Sequence, residues 1–245
     1  MAVENEQHSF PSGARGSANP GGGIARSTLF ASPDQRNSFY IAYGKRMLDV
    51  TLAGLLLLLT APLLVVIAVL VVLDSPGPAL FVQERVGKDG TVFWMFKFRT
   101  MHAANDPLIH EQHVQRMIRE NTEPQPGGSL KMAADPRVTR LGRRLRRSSL
   151  DELPQLLNVL RGEMSLVGPR PDLPYAVAVY KPWYHERFSA MPGVTGYWQV
   201  VARNTVSYER MIQMDIDYAR RQSFGWDLLL LLQTTGAVIR GKGAS

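Results

Sequence analysis

One uncharged run limits what this chain can fold into more than any other feature. From Val50 to Leu73 the sequence reads VTLAGLLLLLTAPLLVVIAVLVVL, 24 residues without an ionisable side chain. A helix rises ~1.5 Å per residue, so the run would extend about 36 Å, enough to cross a hydrocarbon layer of roughly 30 Å. A single transmembrane helix is the simplest reading. Two features oppose it. Pro62 falls mid-run, where it removes a backbone donor and crowds the preceding turn. Thr60 is placed to solvate the carbonyl so freed. Cations also flank the run on both sides: Lys45 and Arg46 before it, and Arg85, Lys88, Lys97 and Arg99 after it. The positive-inside tendency then puts both ends on the cytoplasmic side. A helix that enters the bilayer, breaks at Ala61-Pro62 and returns to the same face satisfies both features. A kinked span is the alternative.

The rest of the 245-residue chain is long enough for one domain with a real core. Residues 1–38 are rich in Gly, Ser, Pro and Asn, and read as a disordered tail with no secretory signal. Residues 39–76 form the expected membrane hairpin, and 77–245 a cytoplasmic domain. Near the end, WDLLLLLQTTGAVI (Trp226 to Ile239) is too short to span a bilayer. It is either a buried core helix or one lying in the membrane interface. The chain has no cysteine, which excludes disulfides, thiolate zinc sites and cysteine nucleophiles.

A formal charge of +7 favours polyanionic partners. Much of it lies in DPRVTRLGRRLRRSSLDE, where Val138, Leu141 and Leu145 recur at helical spacing among Arg137, Arg140, Arg143, Arg144, Arg146 and Arg147. The run is a solvated face, a nucleic-acid patch, or a site for membrane and substrate phosphates. No helix-turn-helix, zinc-finger or RNA-binding signature accompanies it, so nucleic acid is not expected. In FKFRTM, Lys97 and Arg99 alternate with Phe96 and Phe98 as in a strand, which would point both cations to one side. Arg170, between Pro169 and Pro171, sits on a stiffened turn suited to holding an anion.

The stretch SSLDELPQLLNVLRGEMSLVGPRP joins these cations to two adjacent carboxylates, Asp151 and Glu152. Ser149 to Glu152 fits a capping box, but Pro154 would then interrupt the helix beyond its first turn. With Asp151 as N-cap, Pro154 falls where its missing donor costs nothing, so Asp151 is expected at the helix mouth. An ionised carboxylate there could hold Mg²⁺ together with phosphate, or attack phosphorus directly, with Glu152 as second ligand or proton acceptor. By spacing alone a helix cap is the simpler role.

These segments, with KRMLDV, QERVGKDGTVFWMFKFRTM, MPGVTGYWQVVARN and SFGWDLLLLLQTTGAVIRGKGA in this order, closely resemble the bacterial sugar transferases, the monotopic phosphoglycosyl transferases. The resemblance runs from Lys45 to Ala244. It implies a predominantly helical α+β fold, with a re-entrant membrane helix-break-helix and a compact cytoplasmic catalytic region carrying interfacial amphipathic helices. It implies Mg²⁺-dependent transfer of sugar-1-phosphate from a nucleotide sugar, usually a UDP-sugar, to undecaprenyl (polyprenol) phosphate, by a ping-pong route through a phosphosugar-enzyme intermediate. Such a step initiates exopolysaccharide, O-antigen or capsule at the cytoplasmic face of the bacterial inner membrane.

Carried over, Asp151 is nucleophile and metal ligand and Glu152 its partner in both roles. Arg146 and Arg170 bind phosphate, with Lys97 and Arg99 as further candidates. Gly168, Pro169 and Pro171 shape the turn, and Arg203 and Asn204 are pocket candidates. The expected partners are the nucleotide sugar, polyprenol phosphate and the bilayer, with a second copy of the chain as a further candidate. Ala61 where many members have Ser, Met191 for a frequent Arg and Ala202 for a frequent Gly are departures. A membrane-tethered basic adaptor without chemistry is the rival reading.

Overall fold

The computed structural model describes residues 39–102, 107–121, 137–202 and 205–239, all within one unit, Pro33–Ser245. The expected tail 1–38 lies outside the described residues. The apolar run forms a single helix, α1 (Lys45–Asp74), entered through a π-helical turn at Tyr40–Gly44. It is long and apolar enough to cross a membrane. The sequence led to two helices parted at Ala61-Pro62, but hydrogen bonding continues through Pro62. Proline at that position deprives only the Leu58 carbonyl of its donor, and the flanking ladder survives. Thr60 does not supply the replacement, because its hydroxyl donates to the Leu56 carbonyl at 2.6 Å. Such a bond to the preceding turn favours helix bending.

Burial along α1 comes in two blocks. Lys45, Asp49 and Ala53 face the protein at i, i+4 spacing, and Ile67 and Val71 do so again. Between them the helix is uncovered, with Leu58 and Leu59 75% and 68% exposed. At the first end Arg46 donates to the carbonyls of Val159 and Leu160, and Asp49 accepts from Ser165 Oγ and the Leu166 amide. Lys45 reaches the Val167 carbonyl, the Tyr218 hydroxyl and the Asp227 carboxylate. At the other end Ile67 and Val71 pack with Phe98 and Leu145. Each such aliphatic burial is worth about 1.5–3 kcal/mol, so both ends are firmly held.

The body that grips α1 begins with an antiparallel hairpin, β1 (Leu80–Val86) and β2 (Val92–Phe98), in register Arg85↔Phe93 and Phe81↔Lys97. Phe93 and Met95 of β2 enter the main core, with Leu156, Val159, Leu166 and Leu230. A fully buried Asn158 ties this hairpin to α4 (Gln155–Arg161), accepting from the Phe96 amide and donating to the Trp94 carbonyl. The basic run forms α3 (Arg140–Ser148) as its periodicity requires, after α2 (Pro107–Glu120). The Thr139 side chain caps α3 by accepting from the Gly142 amide. At Gly142 a Cβ would collide with the Thr100 carbonyl, so the residue type sets how closely α3 lies on the end of β2.

The strand β3 (Ser165–Val167) leads into the Gly-Pro-Arg-Pro turn and pairs in parallel with β4 (Gly193–Thr195), which lies beside it. A short α5 (Pro174–Val177) and a 3-10 segment, Pro182–Ser189, lie between those strands, and α6 (Tyr197–Val201) and α7 (Tyr208–Arg221) follow them. The last helix, α8 (Phe224–Ile239), is not a buried core helix. Asp227 and Leu230 face inward, while Phe224, Leu228, Leu229 and Leu232 remain exposed. The described fold is mostly helical with two small sheets.

Candidate active site

Between α3 and α4 the chain makes a 3-10 turn, Leu150–Glu152, and this turn holds both carboxylates. The expected N-cap at Asp151 is not formed. Helix α3 closes on Ser149, which adopts the left-handed conformation (φ 57°) while its amide donates back to Arg146. Asp151 therefore falls inside the 3-10 turn, and Pro154, whose ring fixes φ near the helical value, takes the N-cap of α4. The Ser149 side chain makes no capping bond either. Asp151 is thus buried without being a helix cap. Leu150, just before it, packs into the cluster of Ile67 and Val71, which sets the turn against the second half of α1.

The cations converge from separate elements. Lys97, on β2, donates to Glu152 Oε1 at 3.4 Å, and Arg170 donates to the same oxygen at 3.1 Å. Arg146, on the last turn of α3, points its Nε at Thr100 Oγ1, 2.9 Å away. Burial pushes the Lys97 ammonium down to about 8; Glu152 opposes that shift, and repulsion from Arg170 and Arg85 adds to it. Glu152 holds the Arg170 guanidinium above its ordinary value, with Asp151 adding to the effect. Asp151 thus shares one electrostatic field with both cations.

The Gly-Pro-Arg-Pro turn is pinned carbonyl by carbonyl. Pro169 accepts from the Gly193 amide at 2.8 Å, Arg170 from Arg187 Nη2 at 2.7 Å and Pro171 from Arg85 Nη1 at 3.2 Å. The Asp172 carbonyl follows, accepting from the Val86 amide at 2.8 Å. At Gly168 a Cβ would strike the Met191 carbonyl, so glycine permits the close crossing of β3 and β4. Gly168, Pro169 and Pro171 are buried and position Arg170.

One expectation does not join this group. Arg99 lies beyond β2 and turns away from Lys97, giving its guanidinium to the carbonyls of Val71, Ser75, Pro76 and Gly77. It caps the C-terminal end of α1, where a cation also meets the negative end of the helix dipole. Arg203 and Asn204 lie outside the described residues.

Arg85, read from sequence only as a flanking charge, belongs to the site. It is half-buried beside Arg170, and its Nε has no partner among the described residues. Burial and Arg170 pull its guanidinium down to about 10. Strand alternation could have found it, since Arg85 and Lys97 share a face of the hairpin. Arg187 and Asp215, which brace the turn from behind, left no local signal.

Three clustered cations, Arg85, Lys97 and Arg170, around a pair of carboxylates make a site whose charge suits anionic oxygen. Asp151 and Glu152 are hard oxygen donors. Among the described residues no set of three or more His, Cys, Asp or Glu side chains gathers as a metal cage. A divalent metal here would take its other ligands from phosphate and water, which suits Mg²⁺. The residues fit that ion.

Comparison with known proteins bears on what the site serves. The family model described as bacterial sugar transferase matches residues 40–241. The chain belongs to the bacterial sugar transferase family. Among curated members of that family, it is 43% identical over 210 residues to the UDP-glucose:undecaprenyl-phosphate glucose-1-phosphate transferase of Caulobacter vibrioides, covering 82% of this chain and 71% of that protein. It is 38% identical over 201 residues to the exopolysaccharide production protein ExoY of Rhizobium meliloti, with 82% and 88% covered. It is 40% identical over 204 residues to the UDP-galactose-lipid carrier transferase of Erwinia amylovora, of whose length the match covers only 41%.

Proposed function

We propose that this sugar transferase moves sugar-1-phosphate from a nucleotide sugar, a UDP-sugar in the first instance, to polyprenol (undecaprenyl) phosphate. The observation that carries this reading is the buried Asp151 beside Glu152, ringed by Lys97, Arg170 and Arg85 and set against an apolar helix. Asp151 attacks the donor's β-phosphorus. An Asp–phosphorus bond forms, the bridging bond to the α-phosphate breaks, and UMP leaves. A phosphate oxygen of the acceptor then attacks the same phosphorus and frees the Asp151 carboxylate. Lys97, Arg170, Arg85 and Arg146 bind and orient the phosphate oxygens, and the stiff turn preorganises Arg170. Asp151 and Glu152 would hold Mg²⁺, which supplies charge neutralisation for the diphosphate when bound.

The membrane arrangement follows from the same reading. Helix α1 would be about 45 Å long if straight, yet residues near both of its ends are buried against one body, while none is buried between Ala53 and Ile67. This supports a re-entrant helix bowed at Pro62, with α8 laying Phe224, Leu228, Leu229 and Leu232 in the interface. The catalytic body then works at the cytoplasmic face of the bacterial inner membrane, at the depth where an acceptor phosphate meets a soluble donor. The step would open the assembly of an exopolysaccharide or a related surface glycan. Purified protein given Mg²⁺, undecaprenyl phosphate and a panel of UDP-sugars is expected to release UMP with at least one donor. Folded protein in a bilayer that releases none would count against the assignment.

A further inference from the structure

We infer that the arginine face of α3 is a docking surface for anionic phospholipid headgroups, separate from the substrate site. The inference rests on the reading that α1 enters a bilayer. Arg140, Arg143, Arg144 and Arg147 are all exposed and, among the described residues, no side chain pairs with any of them. At ~100° per residue they fill one arc of about 100°. Each has a like charge three or four positions away, an arrangement that works against the helix unless anions offset it. The segment RLGRRLRRS contains no acidic residue to do so.

The other faces of α3 fix where this arc lies. Leu141 and Leu145 join the cluster of Leu64, Ile67, Ala68 and Val71, so α3 runs beside the stretch of α1 between its uncovered middle and its polar end at Asp74. With the middle of α1 in hydrocarbon, α3 lies at the level of the headgroups, a layer several Å deep. Arg146 faces elsewhere, toward Thr100 and the active site. The four exposed arginines are therefore additional to the cations that would hold substrate. A planar guanidinium suits phosphodiester oxygens, and a row of them favours lipids with net negative charge.

The test uses the full chain in phosphatidylcholine nanodiscs carrying a small fraction of dansyl-labelled phosphatidylglycerol or dansyl-labelled phosphatidylcholine. Energy transfer from the protein's tryptophans reports which lipid gathers around it. The wild type is expected to enrich phosphatidylglycerol about three- to tenfold over phosphatidylcholine, and to lose the preference as salt rises to about 0.5 M. The variant R140Q/R143Q/R144Q/R147Q is expected to lose it at low salt, while R140K/R143K/R144K/R147K keeps it. Equal transfer from both lipids in the wild type overturns the inference, as does a preference that survives in the Gln variant. So does displacement of the labelled lipid by a short oligonucleotide or by millimolar inorganic phosphate. If the Gln variant does not fold, the Lys variant and the salt dependence decide. A wild type that does not enter neutral nanodiscs would instead overturn the membrane reading of α1.

Discussion

Arg187→Met tests whether the turn that presents Arg170 is held from behind by a buried ionic knot. Arg187, 3% exposed at its side chain, donates to Asp172 Oδ2 at 3.1 Å, to the Tyr180 hydroxyl at 2.6 Å and to the Arg170 carbonyl at 2.7 Å. It also pairs with Asp215, whose side chain is 1% exposed. Asp172 keeps the hydroxyls of Tyr180 and Tyr208 when Arg187 is gone, but Asp215 is left with an uncompensated carboxyl. Removing one partner of a buried pair costs about 3–5 kcal/mol, which for a domain of this size lowers the melting temperature by about 6–20 °C.

Burial already pushes the Asp215 carboxyl up to about 7, with Arg187 opposing. A carboxyl raised in the folded state loses stability as pH climbs from its unfolded value to its folded one. Without Arg187 the folded value rises further, so the gap between variant and wild type widens above pH 7, by about 1.4 kcal/mol per unit. Thermal unfolding followed by tryptophan fluorescence in detergent measures both effects. Arg187→Met/Asp215→Leu should recover more than half of the loss, because an apolar pair leaves no buried carboxyl stranded. A single-variant loss below about 1 kcal/mol, or a double variant no better than the single one, would refute the reasoning.

Lys97, with its ammonium near 8, binds an anionic donor only while charged, so the donor KM should rise several-fold (~3–10) between pH 7 and pH 9. Lys97→Arg should flatten that profile. Arg99→Gln strips the cap from the end of α1 and should cost at least about 2 kcal/mol of stability, yet leave the donor KM within about twofold. The opposite pattern would return Arg99 to the substrate site. In this cysteine-free chain, Tyr43→Cys and Asp74→Cys place thiols at exposed positions beside the two ends of α1. Both should react with an impermeant maleimide from the cytoplasmic side, and labelling from opposite sides would establish a span.

What the sequence made legible was whatever repeats or alternates locally. The arginine periodicity of α3 and the alternation of β2 each became the element they suggested, and the charge-free run became helix, though one continuous helix where a break at Pro62 was expected. The cap at Asp151 was misplaced because the left-handed residue that ends α3 is Ser149, and no residue-type rule puts a serine there ahead of a glycine or asparagine. Arg99 was grouped with Lys97 by strand parity, which holds only as far as Phe98. Beyond it the chain turns toward the end of α1. The convergence of Lys97, Arg170 and Arg85 on one carboxylate pair comes from the hairpin register and the pinned turn, and Arg187 and Asp215 act from 36 and 64 residues beyond Asp151. Long-range placement of that kind leaves no trace in local spacing.

The central claim is that Asp151 itself carries the sugar phosphate between donor and acceptor. Protein incubated with Mg²⁺ and the active UDP-sugar, without polyprenol phosphate, should release about one UMP per active site. Mass spectrometry should then find a phosphosugar on the peptide containing Asp151, and added acceptor should discharge it. Asp151→Asn should show neither the burst nor the adduct. UMP release that begins only when acceptor is present, with no adduct on Asp151 during turnover, would contradict the account.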